Sequence, residues 1–295
     1  MTSFDIPATG VVLFHFWPSL CSQKVRLVLA EKGVEYESRL VNIGPPMENY
    51  QPAYVRLNPR AVIPTLVVNG EIITDSLRIM HEIDRRFAGA ALLPEPDDPA
   101  LAMVERLLRL QNEFAFREHA YGTLTGFLRL ATRVSMKWRI RKLERMKRAA
   151  PDLGAAYDRK IADVAGWNVT MRDRAEVDEL DRRAEALLDE LEEALTSTEF
   201  LASDRYSLAD AAWTVIVSRL HMQGRQFWWA DGRRPGVEAW YGRMRERPSY
   251  RAATIWDRLQ FGVMAPIIAG VLLPPLVLLL VVAAAISTAI WWSTT

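Results

Sequence analysis

All of the charge in this chain lies on residues 1–258, and the 37 residues from Leu259 to Thr295 carry none. Phe261 to Trp292 is apolar apart from a few Gly and Pro residues and Ser287-Thr288. A hydrocarbon core about 30 Å thick takes about 20 apolar helical residues, and uninterrupted apolar runs beyond about 18 are uncommon in soluble folds. The tail is therefore expected to form a C-terminal transmembrane helix; the alternative is a buried core helix closing a soluble domain. Pro274-Pro275 either kinks a long helix or opens the true span, because proline is harmless in a first helical turn. A span over 271–292 is preferred, which puts Trp291 and Trp292 at the far interface. Met1 to Gly10 lacks the basic and long apolar regions of a secretory signal, and Arg243, Arg245, Arg247, Arg251 and Arg258 precede the span. The positive-inside tendency then turns the soluble part toward the cytoplasm, at the inner membrane of a bacterium or the mitochondrial outer membrane of a eukaryote.

The remaining composition excludes several classes. With 37 basic and 36 acidic residues the net charge is +1, which argues against a disordered charged tail and against whole-surface nucleic-acid binding; no nucleic-acid partner is expected. One cysteine, Cys21, excludes an internal disulfide framework and any multi-cysteine metal site. His15, His81, His119 and His221 show no ligand spacing, and no metal is expected.

Residues 11–16 form a short apolar run followed by Trp17-Pro18-Ser19 and a helical pattern that stops at Gly33: strand, turn, helix. Tyr36 to Val41 reads as a second strand and Glu48 to Leu57 as a short helix ended by Asn58-Pro59. Asn69-Gly70 between Thr65–Val68 and Glu71–Thr74 is a strong hairpin signal, and a helix from Ser76 to Phe87 closes the unit. This βαβαββα order defines a thioredoxin-like α/β domain over 1–87. Pro94, Pro96 and Pro99 mark a linker over 88–99. An all-α domain over 100–258 follows, with helical spacing in Leu101–Arg133, Lys137–Ala150, Ala155–Trp167, Glu176–Leu195, Ser207–Met222 and Val237–Glu246, and then the tail, 259–295. Ser207 and Asp210 have the spacing of a helix-capping pair.

Three short segments carry chemistry. Ser19-Leu20-Cys21-Ser22 sits at a helix start, where exposed amides and the macrodipole stabilise a thiolate. Val62-Ile63-Pro64-Thr65-Leu66 precedes the hairpin, and Asp75-Ser76 opens the next helix. In this order, and with Tyr206-Ser207-Leu208-Ala209-Asp210-Ala211 and Arg247-Pro248-Ser249-Tyr250-Arg251 further on, residues 11–258 resemble the glutathione S-transferase superfamily. The resemblance implies that glutathione is the co-substrate. It implies that Pro64 follows a cis bond and that the Ile63 backbone pairs with the glutathione peptide. It also implies that Asp75 and Ser76 hold the γ-glutamyl end, and that Ser19 or Cys21 faces the sulfur.

Two subgroups are closer. Ser19-Leu20-Cys21-Ser22, Glu48–Pro52 and Tyr54–Asn58 resemble the tetrachlorohydroquinone reductive dehalogenases, in which a cysteine matching Cys21 takes a mixed disulfide with glutathione. Ser22 to Lys32, the basic helical insertion and the uncharged tail resemble the ganglioside-induced differentiation-associated proteins, which are tail-anchored. If Ser19 acts, transfer or isomerisation is implied; if Cys21 acts, thiol exchange or reductive removal of glutathione from a conjugate. As a small hydrophobe, Cys21 has core filler as its other reading. Arg26 is read as structural. The nine cations against Glu144 between Arg129 and Arg148 are either a solvated face or attraction to anionic headgroups, and Phe227-Trp228-Trp229 lines an acceptor site or packs in the core. The expected function is glutathione transfer or thiol-dependent reduction of a hydrophobic small-molecule electrophile by a membrane-anchored homodimer, with the lipid bilayer contacted through 271–292. The alternative is a non-catalytic membrane adaptor on the same fold.

Overall fold

A computed structural model describes residues 4–44 and 46–254. The apolar run at the N-terminus becomes β1 (Val11–His15), and Ser19 starts α1 (Leu20–Glu31). β2 (Glu37–Leu40) follows as an exposed edge strand, then a 3-10 turn at Glu48–Tyr50 and α2 (Pro52–Leu57). The Asn69-Gly70 turn joins β3 (Thr65–Val68) to β4 (Glu71–Thr74), both turn residues having positive φ as the tight connection requires. α3 (Ser76–Arg86) closes the unit. The sheet order is β2-β1-β3-β4, with β1 parallel to β2 and the other pairs antiparallel.

Alternation along the strands assigns the two faces. Val12, Phe14 and Val67 meet Tyr54 and Leu57 of α2 on one side. Leu13, Leu66, Val68 and Ile73 meet α1 and α3 on the other, in a core that continues without a break into the helical part as far as Trp213 and Trp240.

The helical part contains α4 (Ala100–Glu113), α5 (Phe116–Gly122), α6 (Gly126–Ala149), α7 (Gly154–Thr170), α8 (Arg174–Ala194), α9 (Leu208–Met222), α10 (Pro235–Glu246) and α11 (Pro248–Ala253). The single helical stretch expected over Leu101–Arg133 is thus three helices. Phe114 and Thr125 adopt extended backbone and Gly126 turns through φ 54°. α5 approaches α8 so closely that a Cβ on Gly122 would stand 2.5 Å from Val177 Cγ2. α9 is buried along nearly its whole length. At its start Asp210 accepts hydrogen bonds from Ser207 N (2.9 Å), Ser207 Oγ (2.7 Å), Leu201 N (3.0 Å) and Trp240 Nε1 (2.9 Å).

α1 is the element both parts share, packed by α3, α9 and α11. Glu31 at its end takes both guanidinium arms of Arg247, at 2.8 and 2.7 Å, and the hydroxyl of Ser249. Buried Arg26 donates to His15 Nδ1 (3.1 Å), Trp17 O (3.0 Å) and Ala253 O (2.6 Å), so its structural reading stands.

The expected fold class is corrected in one respect. Among the described residues no helix is long and apolar enough to cross a membrane. The two with sufficient length at about 1.5 Å per residue, α6 and α8, carry charge throughout. The span expected over 271–292 lies outside the described residues, and the bilayer contact expected through it gains no support. The fold is a thioredoxin-like α/β unit with a helical partner, without a transmembrane helix in its described part.

Candidate active site

β1 ends one turn ahead of α1, and the turn between them is held by its own polar groups. Ser19 takes the extended conformation of a helix cap (φ −70°, ψ 125°), and its Oγ accepts the Ser22 amide at 3.3 Å. Ser22 Oγ in turn accepts the Phe16 amide at 3.4 Å. Cys21 is the second residue of α1 and is half-buried. One turn on, the Lys24 side chain donates to Gln111 Oε1 on α4 and lies 5.8 Å from the Phe116 ring centroid. Burial pushes the Lys24 ammonium down from its usual range, while Cys21 and Asp75 act on it in the opposite sense.

Opposite this turn, residues 58–64 form a loop whose carbonyls are claimed by side chains from the preceding segment. Tyr54 Oη and Asn58 Nδ2 both donate to Val62 O, at 2.7 and 2.9 Å, and Asn49 Nδ2 donates to Ala61 O at 2.8 Å. The Ile63–Pro64 bond is cis. Asp75 holds φ 75°, uncommon for a residue with a side chain. Its Oδ1 accepts from the Leu77 and Arg78 amides at 3.0 and 3.3 Å, and its Oδ2 from Arg60 Nη1 at 3.0 Å. Ser76 is the first residue of α3.

All six residues expected at the site, Ser19, Cys21, Ile63, Pro64, Asp75 and Ser76, line one cleft of about 420 Å³, within the range of small-molecule sites. α4 to α7 supply its other wall. Phe227, Trp228 and Trp229 are not among its lining residues, and Trp228 and Trp229 are buried in the main core. Several polar lining residues went unnoticed in the sequence. Lys24 is three residues after Cys21 and therefore on its helix face. Gln111 interrupts the buried stripe Val104, Leu107, Leu108 of α4. Arg60, Arg117 and Lys160 gave no local signal, and Arg139 belongs to the basic run between Arg129 and Arg148, which reads as a solvated face or a headgroup contact.

This architecture is that of the glutathione S-transferase fold. Residues 18–86 match the glutathione S-transferase N-terminal domain family and residues 174–243 the C-terminal domain family. The chain is 32% identical over 255 residues to the tetrachloro-p-hydroquinone reductive dehalogenase of Sphingobium chlorophenolicum, covering 86% of this chain and 99% of that protein. The chain belongs to the glutathione S-transferase superfamily, and it is a glutathione S-transferase-like enzyme with glutathione as co-substrate. It is also 25% identical over 271 residues to ganglioside-induced differentiation-associated protein 1-like 1 of Homo sapiens, across 83% of this chain and 74% of that one. Among solved structures, the theta class glutathione S-transferase of Xanthomonas axonopodis pv. citri with glutathione bound superposes with a TM-score of 0.57 at 22% identity, across 84% of this chain and 98% of that one.

Proposed function

We propose that the protein reductively removes a leaving group from an aromatic electrophile at the expense of two glutathione molecules, with Cys21 as the exchange thiol. The observation that carries this reading is the place of Cys21: second residue of α1, half-buried, on the cleft that Asp75 and Ser76 also line. A half-buried thiol beside a cleft at a helix start differs from inert core filler.

In this reading glutathione lies along the edge from Ile63 to Ser76. Ser76, through its hydroxyl and its amide at the start of α3, receives its γ-glutamyl carboxylate, Asp75 its amino group, and the Ile63 backbone pairs with its cysteinyl peptide beside Pro64. The first amides of α1 and the nearby Lys24 ammonium favour the anionic sulfur, and Ser19 can donate its hydroxyl proton to it. That sulfur displaces a halide from the ring, forming a C–S bond as the C–X bond breaks. The Cys21 thiolate then attacks the glutathione sulfur of the adduct; an S–S bond forms, and the C–S electron pair leaves with the ring carbon, which takes a proton. A second glutathione thiolate attacks the mixed disulfide and frees Cys21 as oxidised glutathione departs. The sum is R–X plus two glutathione thiols giving R–H, HX and one glutathione disulfide. The Sphingobium relative is by name a reductive dehalogenase, which supports the chemistry. We take the working unit to be a homodimer, to be checked by sedimentation.

The test uses tetrachlorohydroquinone and glutathione with product analysis. In Cys21→Ser we expect halide release and accumulation of the glutathionyl adduct, with formation of the reduced ring lost by about 10³-fold or more. In Ser19→Ala both steps should slow together. Unchanged yield of reduced product in Cys21→Ser would discard the exchange mechanism.

A further inference from the structure

The helical wall of the cleft carries charge that an acceptor pocket for purely apolar electrophiles does not need. Six cations and two acids line the cleft among its described residues, and one of those acids, Asp75, is already engaged by Arg60. Lys160 of α7 is only 3% exposed, with its ammonium 5.0 Å from the Trp167 centroid. Its acidic neighbour Asp163 stands 3.7 Å away with a side chain 54% exposed to water. Arg117 of α5 lies over the same Trp167 ring at 3.7 Å. Arg139 of α6 spends Nη1 on Tyr50 Oη (3.3 Å) and Nη2 on Ile43 O (3.0 Å), while its Nε is buried with no partner. Burial, and then the charges of Arg117, Arg60 and Arg139, push Lys160 down to about 8.

Like charges gathered at a partly desolvated site are unfavourable unless something negative joins them. Asp75 is spent on Arg60 and Asp163 is exposed to water, which leaves Glu118 as the other acid among the described residues of the cleft lining. An entering anion would turn the mutual repulsion of Arg117 and Lys160 into two attractions, and the planar fork of an arginine matches a carboxylate in particular. Resting on the glutathione reading of the opposite wall, we propose that Lys160 and Arg117, beside Trp167, form a subsite for a carboxylate borne by a planar acceptor. The acceptor is then a flat electrophile with a charged end: its reactive carbon points toward Cys21 and its carboxylate toward α5 and α7.

The experiment measures, by calorimetry on the full chain, the affinities of S-benzylglutathione and S-(4-carboxybenzyl)glutathione, which differ only in the carboxylate. The wild-type protein should bind the carboxylated conjugate about tenfold tighter or more. The ratio should fall below about threefold in Lys160→Met, and also in Arg117→Gln, whose exposed side chain can be replaced without disturbing the core. Equal affinities in the wild type, or a ratio unchanged in both variants, would overturn the subsite while leaving the glutathione reading intact. Failure of S-benzylglutathione itself to bind the wild type would overturn that reading and the subsite with it.

Discussion

His15 illustrates how much a single buried side chain can reveal. It is fully buried at the end of β1, and the donors around it fix its proton. Arg26 can only donate, so Nδ1 accepts from it, and Nε2 must carry the hydrogen given to Ser38 Oγ at 2.7 Å. A second proton would have to sit on Nδ1, facing a guanidinium. Burial, and secondly the Arg26 charge, push His15 from 6.5 to about 3. The unfolded chain therefore binds the extra proton between those values, and stability falls as pH drops through that window. We expect the wild type to lose up to about 1.4 kcal/mol per pH unit from this group below pH 6.5, and His15→Gln to lack that component of the slope. Urea denaturation of both proteins at pH 7 and pH 4.5 provides the comparison. In the sequence His15 is one of four scattered histidines; its role at the end of β1 depends on Ser38 and Arg26, neither adjacent to it in the chain.

At the level of elements, two helix starts use an aspartate in contrasting surroundings. Asp173 caps α8 at the surface through the Ala175 and Glu176 amides, whereas Asp210 at α9 is fully buried and satisfies Leu201, Ser207 and the Trp240 indole. Asp173→Ala should cost about 1 kcal/mol. Asp210→Ala should cost about 3 kcal/mol, since it also strands buried donors; thermal and denaturant unfolding of the pair measures the difference. The Ser207–Asp210 box was legible because capping is local, and so were β1, α1, the β3–β4 hairpin and α3, whose signals span a few residues each. The division of Leu101–Arg133 into α4, α5 and α6 was not, because apolar spacing continues across Phe114 and Thr125 while the backbone does not. The site divides in the same way. Ser19, Cys21, Pro64, Asp75 and Ser76 lie in short motifs, but Lys24 finds Gln111 at a separation of 87 residues, and Arg117 and Lys160 meet only through Trp167.

For the whole molecule, the unbroken core from Leu13 to Trp240 and the placing of α1 between α3, α9 and α11 tie the sheet to the helical bundle, while α6 and α7 pack on a second cluster with Tyr50 and Val55. We expect far-UV dichroism and tryptophan fluorescence to report one coincident transition; two separated transitions would show that the sheet and the helical bundle are independent. The Arg26 guanidinium gives this unity a particular direction. One planar group fastens the peptide at Trp17, two residues before the cap of α1, to the carbonyl of Ala253 at the end of α11. The turn that aims Ser19 and Cys21 thus shares a rivet with the last described helix, more than two hundred residues downstream. A chain cut between Arg219 and Ala253 would keep every described residue of the cleft and still release that rivet, so the reacting end of the enzyme is finished only when α11 has folded.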